Sequence, residues 1–200
     1  TTIGGAAEFR SKSQVDLTLR GNAEIREYLK VNTPSQIGLD FGGNSRVRGG
    51  VKVRSKSQLD FDVSTRVEGG LCVEDAGEVK LSPSNATIDG EISLTSNDQV
   101  TVDSLKNATT GPITIDARGQ VKFDKTRNST VNGPVSVTAS GQVKLDKLEA
   151  ASTCPITVDA KGQVDIVSER DSTVDGAIEV TDAGGQIRLD LAATEISEGV

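Results

Sequence analysis

The sequence contains no histidine, no methionine and no tryptophan, and its aromatic residues are one tyrosine and four phenylalanines among 200 residues. Histidine is the commonest general base near neutral pH and a frequent metal ligand. Its absence excludes Ser-His catalytic pairs and imidazole metal sites. Carboxylates are numerous, but they recur periodically and do not mark an isolated catalytic pair. We therefore expect a protein that is not an enzyme and that has no catalytic residues, no cofactor and no metal site.

Long apolar segments and net positive charge are also lacking. No stretch approaches the ~20 apolar residues that a membrane-spanning helix needs. The net charge of -7 opposes binding to nucleic acids and to anionic lipid surfaces. We therefore expect no nucleic-acid partner and no membrane insertion. Because the chain begins at Thr1 and has no methionine, we expect that a leader has been removed and that the protein is extracellular or on the cell surface.

The dominant feature of the sequence is a repeat of about 21 residues. Glutamine marks it at Gln14, Gln36, Gln58, Gln99, Gln120, Gln142, Gln163 and Gln186, and Glu78 fills the one gap. Two alternating apolar residues follow each marker and two precede it; Val121 and Phe123, for example, follow Gln120. A third, shorter apolar site lies about ten residues after the marker, as at Val131.

This pattern predicts the fold. Alternation with β-branched residues is typical of strands with one buried face. Three such strands per repeat at constant spacing favour a coil in which each strand lies on its equivalent one turn earlier, about 4.8 Å away. We predict an all-β protein, a single-stranded parallel β-helix (β-solenoid) of about nine rungs with three short strands each, right-handed as parallel crossovers are. We assign residues 7–200 to this domain and residues 1–6 to an N-terminal arm.

Glycine recurs after the third strand of the repeat. The positions are Gly49, Gly69, Gly90, Gly111, Gly133, Gly176 and Gly199. Glycine adopts a positive φ more readily than other residues. We therefore predict a sharp corner with positive φ at this column.

Three N-glycosylation sequons begin at Asn85, Asn107 and Asn128. All three fall at one corner of the repeat, and Asn22 and Asn44 occupy the same corner without a sequon. Asparagine tolerates the left-handed conformation, and its amide can form hydrogen bonds along a stack. A structural role in stacked turns is the favoured interpretation. Glycosylation of these asparagines is the other, and the two are compatible if the amides point outward.

The two cysteines are Cys72, on the outward side of its strand, and Cys154, at a corner. We place them three rungs apart, roughly 14 Å at β-sheet spacing. A disulfide needs Cα atoms within about 7 Å, so we expect no intrachain bond. Either both thiols are free, or one forms an intermolecular disulfide with a neighbouring subunit.

An acidic column faces outward after the marker. It consists of Asp40, Asp62, Asp103, Asp124, Asp146 and Asp190. Lys125 and Lys147 lie beside two of these carboxylates, and the preceding outward column contains Lys80, Lys122 and Lys144. We interpret the column as a solvated face with ion pairs between rungs. Weak Ca²⁺ binding is the alternative, but the nonapeptide motif of calcium-binding solenoids is absent.

The units PITIDARGQVKFDK, PVSVTASGQVKLDK and PITVDAKGQVDIV resemble the parallel β-helix repeats of bacterial surface adhesins of the filamentous haemagglutinin type. They are also similar to adhesin-type β-solenoid domains of bacterial envelopes. The resemblance covers nearly the whole chain. It implies a cell-surface location and an adhesive or scaffold role, and it carries over no functional residues. Bactofilins, which are cytoplasmic β-helix polymers, are a second resemblance, although their rungs are shorter and richer in glycine.

The ends of the repeat suggest a mode of assembly. No amphipathic helix covers either end, and uncapped rungs present unpaired backbone to another chain. Either the chain is part of a longer solenoid, or subunits stack head to tail into a homopolymer. The leading hypothesis is a non-enzymatic structural subunit of an extracellular filament or surface appendage. The alternatives are a cell-surface adhesin module that binds a glycan or receptor, and a bactofilin-like intracellular scaffold polymer.

Overall fold

The structure, a computed structural model, describes residues 1–149, 151–192 and 194–196, and every regular element in these ranges is a β-strand. The first half contains β1 (Thr2–Ile3), β2 (Ala7–Arg10), β3 (Val15–Leu19), β4 (Glu24–Ile25), β5 (Leu29–Asn32), β6 (Ile37–Phe41), β7 (Arg46–Val47), β8 (Val51–Arg54), β9 (Leu59–Val63), β10 (Arg66–Val67), β11 (Leu71–Ala76), β12 (Val79–Pro83), β13 (Thr87–Ile88) and β14 (Ile92–Ser96). The second half contains β15 (Val100–Asp103), β16 (Thr109–Thr110), β17 (Ile113–Ala117), β18 (Val121–Asp124), β19 (Thr130–Val131), β20 (Val135–Ala139), β21 (Val143–Glu149), β22 (Ser152–Thr153), β23 (Ile156–Ala160), β24 (Val164–Arg170), β25 (Ser172–Val174), β26 (Ile178–Thr181), β27 (Ile187–Leu191) and β28 (Thr194–Ile196).

These strands form three parallel sheets that share one axis. Sheet A takes every third strand from β1 to β28, sheet B every third from β2 to β26, and sheet C every third from β3 to β27. Sheet A therefore has ten strands and sheets B and C have nine each. At about 4.8 Å per strand the solenoid is about 40 Å long. The predicted β-solenoid of about nine turns with three strands per turn is confirmed.

The register between turns keeps each apolar column continuous. Val121 pairs with Val100 on one side and with Val143 on the other, and Val143 pairs with Val164. All four are at most 1% exposed. The backbone hydrogen bonds run along the axis, for example from Val121 N to the Gln142 carbonyl at 2.9 Å. Because regular alternation turns these apolar side chains inward, a modest apolar content builds one core.

The glycine column between sheets A and B has a different cause from the one predicted. Only Gly133 and Gly176 have a positive φ, of 137° and 121°, so the prediction is wrong for the four earlier glycines Gly49, Gly69, Gly90 and Gly111. A Cβ at Gly69 or Gly90 would lie 2.5 Å from a backbone nitrogen of the preceding turn. The close approach of successive backbones therefore requires glycine there. Gly199 lies outside the described residues.

The first six residues, predicted as an arm, include one short strand. Thr2 pairs with Glu24 and Ile3 with Ile25. The carbonyl of Thr1 accepts a hydrogen bond from Glu24 N at 2.9 Å. This segment therefore contributes a strand to sheet A, and the domain boundary at residue 7 stays a prediction.

The apolar columns are open at both ends of the described solenoid. Phe9 in the first turn is 37% exposed, and Ile187 and Leu189 in the last turn are 51% and 36% exposed. One turn before them, Val164 and Ile166 are fully buried. The same inward positions are therefore buried inside the stack and accessible at its ends.

Candidate functional site

The sequon asparagines form a side-chain ladder at the corner between sheets C and A. Asn85, Asn107 and Asn128 have φ values of 54°, 49° and 48°. Nδ2 of Asn107 donates to Oδ1 of Asn85 at 3.0 Å, and Nδ2 of Asn128 donates to Oδ1 of Asn107 at 3.4 Å. The predicted structural role of these three residues is confirmed, since each amide bridges two turns in the left-handed conformation. Their glycosylation stays a prediction.

The two earlier asparagines at this corner behave differently. Asn22 and Asn44 occupy the equivalent position, but the left-handed residues of their turns are Gly21 and Gly43, with φ values of 64° and 69°. Glycine adopts this conformation without the steric penalty that a Cβ brings. The shared role expected for all five asparagines is therefore wrong for Asn22 and Asn44.

The acidic column is only partly neutralised as predicted: Arg20 pairs with Asp40 of the next turn, whereas two lysines pair within their own strands. Nζ of Lys122 lies 3.1 Å from Oδ2 of Asp124, and Nζ of Lys144 lies 2.9 Å from Oδ2 of Asp146. Both pairs join residues of one strand, so the predicted ion pairs between rungs are wrong for these lysines. Among the described residues, no three His, Cys, Asp or Glu side chains are grouped to hold a metal ion.

Both cysteines are free thiols in the described chain. Cys72 lies in β11, and Cys154 lies just before β23, where its Sγ accepts a hydrogen bond from Gly133 N at 3.2 Å. Strands β11 and β23 are four steps apart in sheet B, through β14, β17 and β20. The predicted separation of three rungs is therefore one too few, and the distance along the axis is about 19 Å. An intermolecular disulfide through either cysteine stays a prediction.

The thiol of Cys72 is expected to react slowly with alkylating reagents. Burial raises its pKa, and the nearby Glu74 carboxylate raises that pKa further, while Lys52 opposes the shift. A smaller fraction is thiolate at a given pH, and the thiolate is the nucleophile. The check is the rate of iodoacetamide labelling against pH in Cys154→Ser, which keeps Cys72 alone. If the labelling rate rises at the same pH as in an unstructured cysteine peptide, or at a lower pH, the result would contradict this expectation.

A cationic cleft lies beside the asparagine ladder, and sequence reasoning did not find it. Its volume is about 270 Å³, and its lining residues are Ser104, Lys106, Lys125, Arg127 and Glu149. Ser104 and Lys125 are left-handed, with φ values of 55° and 56°. Lys106, Arg127 and Glu149 occupy equivalent positions of three successive turns. The sequence signal was the recurrence of a cation at the position of Lys106 in the next repeat, at Arg127.

A shallower groove of about 730 Å³ crosses the outer face of sheet B. Tyr28 and Glu91 stand at opposite ends of a corner column whose two middle members are Gly50 and Gly70. A Cβ at Gly70 would lie 2.5 Å from the Glu91 carbonyl. Backbone packing thus explains why this part of the groove has no side chains.

The comparisons with known proteins found no match: no family model, no curated protein and no solved structure matches the chain. No helix among the described residues is long and apolar enough to cross a membrane. The resemblance to adhesin-type repeats and to bactofilins stays a prediction.

Proposed function

We propose that this protein is a non-enzymatic structural subunit that assembles head to tail through the terminal turns of its solenoid. The observation that carries the proposal is the exposure of Ile187 and Leu189, 51% and 36%, at positions that are buried one turn earlier. Exposed apolar residues beside an unpaired strand edge favour association with another strand. A contact between opposite ends does not close on itself and therefore produces a filament.

The two end faces are complementary in their apolar pattern. In β27, Ile187 and Leu189 are spaced like Val15 and Leu17 in β3. Within the molecule, pairs at this spacing stack in register, as Ile187 does on Val164. Placing β3 of a second copy on β27 would continue both columns. Burying these apolar side chains stabilises the contact by about 25 cal/mol per Å² of surface removed from water.

The outward-facing charges of the two end faces would attract each other at one position and repel each other at another. The same register would place Arg188 over Asp16, which are oppositely charged. In sheet B it would place Glu179 over Glu8, and the Glu8 carboxylate accepts a hydrogen bond from the Tyr28 hydroxyl at 2.9 Å. Exposed pairs of either kind are worth roughly 0.2–1 kcal/mol. The apolar columns therefore dominate the association, and the charges adjust its salt dependence.

Sheet A sets a condition on this assembly. Each turn follows the order A, B, C, but β1 and β28 both belong to sheet A. If sheets B and C continue without a gap, β28 and the incoming β1 require the same place in sheet A. Strand β1 has two residues, both exposed, whereas Thr194 in β28 donates a hydrogen bond to Oγ of Ser168 at 2.6 Å. We therefore expect β1 of the incoming copy to detach from sheet A on assembly. Residues 1–6 would then act as an arm.

Leu189→Lys is expected to abolish filaments that the unmodified chain forms, because it places a charge in the shared apolar column. Negative-stain microscopy and sedimentation velocity over a range of concentrations measure this directly. Thr138→Lys is the matched control, since it adds the same charge on the exposed outer face of sheet B. Particles that stay single rods at every concentration, or equal assembly of both variants, would contradict the proposal.

A chain that lacks residues 1–5 tests the condition on sheet A. Removing β1 eliminates the competition for one place, so this chain is expected to assemble at lower concentration than the full chain. Circular dichroism checks that the remaining solenoid is intact. Weaker assembly of the shortened chain would show that β1 contributes to the contact and does not obstruct it.

A second candidate function is a surface module that binds a glycan through sheet B. The observation that favours it is Tyr28, the one tyrosine of the chain, which is 42% exposed beside the groove. An aromatic face next to polar groups is a common arrangement for ligand binding. Monodisperse rods that bind an oligosaccharide, with binding lost in Tyr28→Ala, would favour this function over assembly.

A further inference from the structure

The cleft between sheets C and A concentrates positive charge on an acidic protein. Three of its five lining residues are cations, Lys106, Lys125 and Arg127, while the whole chain carries a net charge of -7. Lys106 and Arg127 are bridge partners in adjacent turns, so their backbones lie about 4.8 Å apart. Like charges stacked at this spacing repel each other.

The carboxylates around this cleft leave the charge uncompensated. Glu149 contacts Arg127 at 2.6 Å. Asp103 accepts a hydrogen bond from the Ser104 hydroxyl at 3.1 Å, and Asp124 lies 3.1 Å from Lys122. Within the described part of the chain, Lys106 and Lys125 form no ion pair.

On sheet B, two cations each pair with a carboxylate of the next turn. Lys52 contacts Glu74 at 2.6 Å, and Arg54 contacts Asp75 at 2.7 Å. Unlike these two cations of sheet B, Lys106 and Lys125 have no carboxylate partner among the described residues. A bound anion would supply the missing negative charge.

We propose that this cleft binds the sulfate or phosphate group of a small anionic ligand. Ammonium groups provide point charges, a guanidinium presents a planar fork of donors, and tetrahedral oxyanions are suitable acceptors for both. The Ser104 hydroxyl can donate to the same group in place of Asp103. The volume of about 270 Å³ is close to the lower limit of about 300 Å³ for small-molecule pockets, so a body the size of one sugar ring fits beside the anion.

The position of the cleft makes this proposal independent of head-to-tail assembly. Its residues belong to the middle turns, after β15, after β18 and at the end of β21, whereas the end faces belong to the first and last turns. The asparagine ladder at the same corner connects Asn85, Asn107 and Asn128. This ladder holds the turns that carry Lys106 and Arg127 in a fixed register before any ligand arrives.

Isothermal titration calorimetry of the full chain tests the site with three probes: inorganic sulfate, inorganic phosphate and glucose 6-sulfate. We expect one saturable site that weakens as salt is added. The double variant Lys106→Gln/Lys125→Gln should bind at least tenfold more weakly. The matched control Lys80→Gln/Lys161→Gln removes two exposed lysines elsewhere and should bind like the original chain. Whichever probe binds most tightly identifies the source of the oxyanion.

Glu149→Gln is expected to strengthen binding of the anion, whereas the double lysine variant weakens it. It removes the carboxylate that competes for Arg127 and preserves the shape of the side chain, so the affinity should rise several-fold. A purely structural role of the cleft residues would not predict this increase. Absence of saturable binding by all three probes, equal loss in the control variant, or weaker binding by Glu149→Gln would each overturn the proposal.

Discussion

Replacing Phe61 by alanine is expected to lower the free energy of unfolding by about 3–5 kcal/mol. Phe61 is 2% exposed and pairs with Leu39 below and Leu81 above in sheet C. Its ring meets that of Phe41 edge to face, with centroids 4.8 Å apart. The surrounding backbone is fixed by hydrogen bonds to the turns on both sides, so the resulting cavity cannot easily collapse. Chemical denaturation followed by circular dichroism measures the loss.

Phe9→Ala is the matched control for this experiment. Phe9 has the same side chain but is 37% exposed in the first turn, so its loss should cost only about 1–2 kcal/mol. Adding Phe41→Ala to Phe61→Ala should reveal a coupling of about 0.5–1.5 kcal/mol from the aromatic pair. Equal losses for Phe61→Ala and Phe9→Ala would contradict a core that is closed in the middle and open at the end.

Gly90→Ala is expected to destabilise the protein by about 1–3 kcal/mol, although it adds only one methyl group. The added Cβ would lie 2.5 Å from Gly70 N, 2.7 Å from the Gly69 carbonyl carbon and 2.8 Å from Gly70 Cα. These are backbone atoms, so relief requires separating two turns rather than rotating a side chain. The thermal or chemical unfolding midpoint shows the effect.

Gly5→Ala separates this packing effect from the general consequences of replacing glycine. No heavy atom lies within 4 Å of the position of its Cβ. Alanine there is expected to be neutral or slightly stabilising, because it restricts the unfolded chain. A Gly90→Ala protein as stable as Gly5→Ala would show that successive turns at this corner tolerate a wider separation than the structure has.

The periodic part of the structure was accessible from the sequence. A constant spacing predicts that Val121, Val143 and Val164 lie in one column, and their pairing confirms it. Local conformational preference likewise predicted the left-handed asparagines of the ladder. These features follow from the repeat itself, since each turn imposes its register on the next.

The atomic contacts between different turns could not be predicted from the repeat alone. The glycine column was assigned to backbone conformation because sequence reveals local preference, whereas Gly69 and Gly90 are required by atoms of another turn. Ion pairs between rungs were predicted because the repeat stacks the lysines and aspartates of successive turns. In the structure, the side chains of Lys122 and Lys144 instead lie along their own strands and contact Asp124 and Asp146. The cationic cleft depends on the corner geometry at Ser104 and Lys125 and was missed for the same reason.

The hydrogen bonds that run along the axis determine how the molecule resists mechanical load. A bond such as Val143 N to the Gln163 carbonyl at 2.9 Å lies parallel to a force that pulls along the axis of the solenoid. Tension therefore opens the weakest boundary between turns first and unwinds the coil one turn at a time, as a zipper opens. Force applied across the rod instead shears many such bonds together. The fold is consequently compliant to stretching at its ends and stiff against sideways load in its middle.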